Sequence, residues 1–175
     1  MGIFGARNIR DVLNHWFAFN KHLFLAKSPK GYGIHSPMLY HLVTDIIGNK
    51  HAYYAFARLE NIRRELAISR SRILHGTNGS APKTLQATMG QVTRQTAMNE
   101  QEAQLLFRLV NYFQPKHILE LGSGVGLTTA YMATALYKGR ITTVEGNPEL
   151  AKTARNTLIK TGVHNADVHN TTFDK

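Results

Sequence analysis

The chain has 175 residues, 43% hydrophobic and 18% charged, with 21 Lys and Arg against 11 Asp and Glu for a net charge of +10. This suits one domain, or a domain with a helical appendage, and excludes a disordered polymer, a collagen-like repeat and a disulfide-built miniprotein. No cysteine is present, which removes disulfides, thiolate metal sites and cysteine nucleophiles. No apolar run approaches the ~18–20 residues of a membrane span. The opening MGIFGARNIRDVLNHW lacks the apolar stretch of a signal peptide, and Ala6 stands where a myristoylation signal wants Ser or Thr. A cytoplasmic protein is expected. The charge is uneven: residues 1–117 carry 15 basic and 6 acidic side chains, residues 118–175 only 6 and 5. The basic part suits nucleic acid, an anionic membrane or an acidic substrate, or is simply a solvated surface that aids solubility.

In chain order, Ile9, Val12, Leu13, Trp16, Phe17, Leu23 and Phe24 follow helical spacing, broken only at Asn20. This amphipathic helix has so aromatic a face that docking on protein is expected over a membrane surface. Gly31 and Gly33 break the chain, and Ser36-Pro37 reads as N-cap and first position of a helix over Met38–Ile47. A further helix is predicted over 52–69, with Phe56, Leu59, Ile62 and Leu66 on one face and a Glu60–Arg64 pair at i,i+4. Between Leu74 and Gln95 periodicity dissolves into Gly, Ser, Thr and Asn, which reads as a loop. The expected organisation is a helical extension over 1–75, a flexible linker over 76–98 and an α/β domain over 99–175.

From Asn99 the signals sharpen. Asn99 and Glu102 are spaced as a capping box for a helix that Pro115 closes. HILEL at 117–121 reads as a strand, 122–126 as a glycine turn and 127–137 as a helix ended by Gly139. A second strand follows at 141–145, then a helix from Asn147-Pro148 to Gly162, then a third strand within 163–170. Strands alternating with helices of this length indicate a right-handed, parallel β-α-β-α-β unit, half of a doubly wound sheet.

The chemistry concentrates in ILELGSGVG and ITTVEGNPEL. Gly122, Gly124 and Gly126 occupy the first strand-to-helix turn, where absent side chains let backbone approach a ligand and a helix offers free N–H groups. Glu145 ends the second strand, placed to accept hydrogen bonds from two ribose hydroxyls. The plain alternative is a turn that needs positive φ and a solvated acid. Dinucleotide turns favour G-x-G-x-x-G, whereas G-S-G-V-G is one residue shorter and follows an acid, Glu120. That spacing disfavours an NAD-dependent oxidoreductase. No H-x-x-x-H pair or carboxylate cluster is present, so no metal site is expected. His35 is either a satisfied structural histidine or a lid residue, and His117 a strand-boundary residue.

With E-L-G-S-G-V-G at 120–126 and Glu145 beyond it, the sequence resembles the class I S-adenosylmethionine-dependent methyltransferases, over 99–175 and most specifically over 117–148. The resemblance implies a Rossmann-like sheet in the order 3-2-1-4-5-7-6, of which this chain holds strands 3-2-1 behind a helical extension. It also implies S-adenosylmethionine as cofactor. Gly122, Gly124 and Gly126 would lie around its methionine and ribose, Glu120 near its amino group, Glu145 on the ribose hydroxyls, and Thr172 and Phe173 by the adenine. Ser123 and Gly146 belong to the same cofactor-binding set. NEQEAQLLFRLVNYF is similar to the small-molecule O-methyltransferase branch, and GYGIHSP and FARLENIRREL resemble the helical extension of a bacterial methyltransferase group. The implied reaction is methyl transfer to a small-molecule acceptor. The alternative is a nucleic-acid-directed methyltransferase or binding module using Arg58, Arg63, Arg64, Arg70 and Arg72, although no nucleic-acid motif is present.

The resemblance implies a chain that stops before the fourth strand, which usually carries the catalytic or metal-binding residue; no catalytic residue can therefore be named. Such a piece is expected to be inactive alone and to bind cofactor weakly. Its helices should cover one sheet face only, exposing Ile118, Leu119 and Leu121 at about 1.5–3 kcal/mol per side chain. Cover by the N-terminal helices or by a second copy is expected, with self-association favoured.

Overall fold

The computed structural model describes residues 35–76 and 84–172. The predicted helix over 9–25, the Gly31 and Gly33 break, and Phe173 lie outside these residues. The chain forms two compact units, Met1–Lys50 and His51–Lys175. In the first, Ser36 caps α1 (Pro37–His41) by accepting from the Leu39 N–H. The helix then widens into a π-helical segment, Leu42–Ile47, in which the Gly48 N–H reaches back to the Val43 carbonyl. One helix was expected across Met38–Ile47; the wider turn replaces its second half.

The second unit begins with α2 (Tyr54–Ile68), followed by β1 (Arg72–Gly76) and β2 (Thr84–Thr88), an antiparallel pair. After it come α3 (Met89–Thr96) and α4 (Glu100–Phe113). Then β3 (His117–Leu121), α5 (Leu127–Ala135), β4 (Arg140–Val144), α6 (Pro148–Thr161) and β5 (Ala166–His169) alternate. The three last strands form a parallel sheet in the order β3-β4-β5, with Ile118 opposite Ile141 and Ile141 opposite Ala166. This is the predicted α/β architecture. The caps explain its boundaries: Asn99 accepts from the Glu102 N–H to start α4, and Asn147 from the N–H groups of Glu149 and Leu150 to start α6. Gly162, at φ 69°, ends α6 in a left-handed turn that any other residue would adopt at a cost.

Two expectations need correcting. The stretch over 76–98 is not simply a linker, because its second half forms β2 and α3. Thr88 accepts from the Gln91 N–H while the Gln91 side chain accepts from the Thr88 N–H, a capping box that starts α3, whose Met89 and Val92 are buried. Nor does α2 belong with the preceding residues. Its Phe56 and Leu59 enter the same core as Phe107, Tyr131 and Ile141, with Phe56 and Phe107 edge to face at 5.0 Å. Its Glu60 pairs with Arg63 at 2.9 Å rather than with Arg64, and also accepts from the Tyr131 hydroxyl on α5. Arg63 in turn donates to the Met98 carbonyl. A buried network across α2 and α5 therefore outweighs the local i,i+4 pair.

The helices pack on one sheet face, as expected. Ile141 and Thr143 are fully buried there, and Ile118 and Val168 pack against the same core. Ile118 is thus half-buried, against the expectation that it would be bare. Leu119 and Leu121 on the other face are 67% and 61% exposed.

Candidate active site

The site forms at the carboxyl ends of the parallel strands, where a doubly wound sheet places its ligands. From Leu121 the backbone turns over residues 122–126, and the Gly122 N–H donates to the Val144 carbonyl at 2.7 Å, hanging the turn from the end of β4. Gly122, Gly124 and Gly126 all take positive φ (89°, 52° and 79°). Two of these glycines do different work. A Cβ on Gly126 would stand 2.7 Å from the Ala154 Cα, so the missing side chain lets the start of α5 press on α6. A Cβ on Gly122 would meet nothing within 4 Å, so its empty side is the open one. The buried Thr157 hydroxyl donates to the Val125 carbonyl at 2.8 Å and fixes the turn from below.

Glu145 follows β4 and its carboxylate spans the site. One oxygen accepts from the Gly124 N–H at 2.8 Å and the other from the Asn147 N–H at 2.9 Å. A carboxylate has about four lone-pair positions, so these two bonds leave room for hydroxyl donors. The main chain around it is tied to β5, through its own N–H to the His169 carbonyl and the Asn170 amide to its own carbonyl.

Of the nine sequence-predicted residues, Gly122, Ser123, Gly124 and Glu145 line one cleft of about 210 Å³ together with Thr96, Ala97, Val125, Leu127, Thr128 and Leu150. Gly126 lies beneath it as a packing residue. Gly146 is exposed beside Thr172, whose methyl carbon lies 3.9 Å from where a Gly146 Cβ would be. Neither lines the cleft, and Phe173 is outside the described residues. Glu120 faces the helix-covered side, where Thr129 of α5 donates to it. Burial raises its carboxyl above the ordinary value of 4.5, against the Thr129 hydrogen bond and with the Glu145 charge adding to the rise. Glu120 supports the first turn of α5 and does not line the cleft.

Sequence reasoning missed Thr96 and Ala97, because α3 sat in the stretch read as a loop. The spacing of Thr88 and Gln91 was the available signal. The cleft suits a polar, nucleoside-like ligand on two observations. The Ser123 hydroxyl is buried at its wall with no hydrogen-bond partner, which is costly unless a ligand supplies one. Glu145 is the only ionisable side chain in the lining. At about 210 Å³ the cleft is smaller than the ~300–1,000 Å³ of most small-molecule sites, so it encloses only part of such a ligand. Among the described residues no group of three His, Asp or Glu side chains converges as a metal site, and no helix is long and apolar enough to cross a membrane.

A parallel sheet with a G-x-G-x-G turn after its edge strand and an acid at the tip of the next is a Rossmann-like methyltransferase fold. The chain belongs to the family described as Protein-L-isoaspartate(D-aspartate) O-methyltransferase (PCMT), whose model matches residues 54–173. That match includes α2, in line with the packing of α2 against the sheet domain. No curated protein sequence matches the chain. Similar solved structures include the O-methyltransferase TomG from Streptomyces achromogenes with bound SAM, at 22% identity and TM-score 0.45, over 70% of this chain and 44% of that one. A putative O-methyltransferase from Klebsiella pneumoniae has 21% identity and TM-score 0.44, over 74% and 48%. The SAH-bound methyltransferase PaMTH1 from Podospora anserina has 15% identity and TM-score 0.49, over 79% and 51%. The chain spans about half the length of these structures.

Proposed function

We propose that the cleft binds S-adenosylmethionine and that the chain takes part in methyl transfer to an oxygen of a small-molecule acceptor. The observation that carries this reading is the Glu145 carboxylate held against the glycine turn, with an open backbone at Gly122 and an unpartnered hydroxyl at Ser123. When bound, the cofactor supplies a methyl group already activated on a sulfonium. Glu145 then holds the ribose hydroxyls, Ser123 contributes a hydrogen bond, and Val125, Leu127 and Leu150 form the apolar wall. With no free acid or base in the lining, these residues act by binding and orientation, a contribution that reaches several kcal/mol when reacting groups are well aligned.

Calorimetry with S-adenosylhomocysteine tests the cofactor. Binding is expected, weakened about tenfold or more by Glu145→Ala; binding of NAD in its place overturns the reading. The acceptor is tested by transfer of labelled methyl to small hydroxy and carboxy compounds beside an isoaspartyl peptide. Labelling of the peptide alone would remove the small-molecule acceptor. The reading also includes self-association that covers Leu119 and Leu121. Light scattering that returned a monomer at all concentrations would exclude it.

A further inference from the structure

Between Glu65 and Glu100 the sequence carries Arg70, Arg72, Lys83 and Arg94 and no acidic residue. The structure gathers the three arginines around the end of α2. Arg94 donates to the Ala67 carbonyl, Arg70 lies three residues beyond Ala67, and Arg72 opens β1 opposite Thr88, the cap of α3. All three are exposed. The ion pairs of this unit lie elsewhere, at Glu60–Arg63, Glu65–Lys160 and Asp167–Arg140. Arg70, Arg72 and Arg94 therefore meet no carboxylate among the described residues. Ile68, 78% exposed, stands among them as an apolar contact.

This cationic surface is joined to the cleft by one rigid element. Residues 89–96 of α3 span about 12 Å at 1.5 Å per residue, and Thr96 at its far end lines the cleft. Stacked nucleotides advance roughly 3.4 Å each, so a strand whose phosphates rest on Arg70 and Arg72 reaches the cleft within about four nucleotides. We propose that the end of α2, the β1–β2 pair and α3 form a docking surface for the phosphate backbone of a nucleic acid strand. It reads charge and not sequence, since contacts to phosphate carry no sequence information. The surface is separate from the cofactor cleft, and its test needs no cofactor.

Fluorescence anisotropy of the full chain with a labelled single-stranded RNA of about twelve nucleotides provides the test. Three phosphate contacts at ~0.7 each give a log–log salt slope near −2, or about 20-fold weaker binding at ~200 mM than at ~50 mM salt. Arg70→Gln/Arg72→Gln should bring the slope to about −0.7 and weaken binding roughly tenfold at ~50 mM salt. Lys138→Gln, on an exposed cation after α5, should leave both unchanged. Circular dichroism confirms that each variant is folded. Absence of RNA binding at low salt, an unchanged slope in the double variant, or an equal loss in Lys138→Gln would each overturn the proposal. So would binding to phosphatidylserine vesicles but not to the RNA.

Discussion

The two faces of the parallel sheet are built by alternate residues of the same strands, yet they have opposite surroundings. On one, Ile141 and Thr143 are fully buried beneath helices and Ile118 packs into their core. On the other, Leu119 and Leu121 stand in the open beside the Arg140–Asp167 pair, 3.0 Å apart. Hydrophobicity does not separate the faces, since Leu119 is as apolar as Ile118. The right-handed crossovers do, by laying α5 and α6 on the same side. That side also holds the groups that brace the glycine turn from below, Thr129 with Glu120 and Thr157 with the Val125 carbonyl. The covered face is thus the foundation of the cleft.

This contrast can be broken first where packing is densest. Ile141→Ala should cost about 2–5 kcal/mol of unfolding free energy, because it opens a cavity in a rigid core. Gly126→Ala should cost about 2–4 kcal/mol, combining a positive φ with a clash against Ala154. Gly122→Ala keeps the positive φ but meets no neighbour, so only about 1–2 kcal/mol is expected. Urea denaturation ranks all three, and equal losses at the two glycines would show that Gly126 has no packing role.

A smaller effect comes from Glu120. Its folded carboxyl titrates above the ordinary 4.5, so the folded state holds the proton more tightly than the unfolded chain. That contribution is present at low pH and is lost as pH rises from about 4.5 through the folded value. Glu120→Gln can still accept from Thr129 but cannot ionise. Its stability relative to the native chain should therefore improve as pH rises above about 4.5, and a constant difference would mean that Glu120 is not strained by burial. Smallest of all, Leu119→Ala should change the stability of the dilute, dissociated chain by less than about 0.5 kcal/mol, because a lone copy leaves this side chain exposed. A larger loss at concentrations where copies associate is the outcome expected from the self-association proposed above.

Much of the fold was legible because its signals are local. Asn99, Asn147-Pro148 and Gly162 mark helix ends through bonds that span a few residues. HILEL and RITTV are short runs of apolar and β-branched residues, preceded by Pro115 and Gly139. The glycine turn and Glu145 were legible as a site for the same reason, since they fall at the carboxyl ends of successive strands. The first half of the second unit was harder to read. The start of α3 is marked only by a side-chain cap, and nothing near Thr96 in sequence announces that it meets a turn nearly thirty residues later.

By itself, then, the sequence determined the element order from Asn99 onward, the parallel sheet and the cleft at its glycine turn. Only the tertiary structure decided that α2 joins the sheet domain, that Glu120 turns beneath α5, that Thr96 and Ala97 close the cleft, and that three arginines gather beside it. Each of these rests on contacts between residues far apart in the chain, such as Tyr131 with Glu60 and Arg63 with Met98. Local propensity and periodicity act over one or two turns of backbone, whereas such contacts depend on which faces meet once the elements have packed.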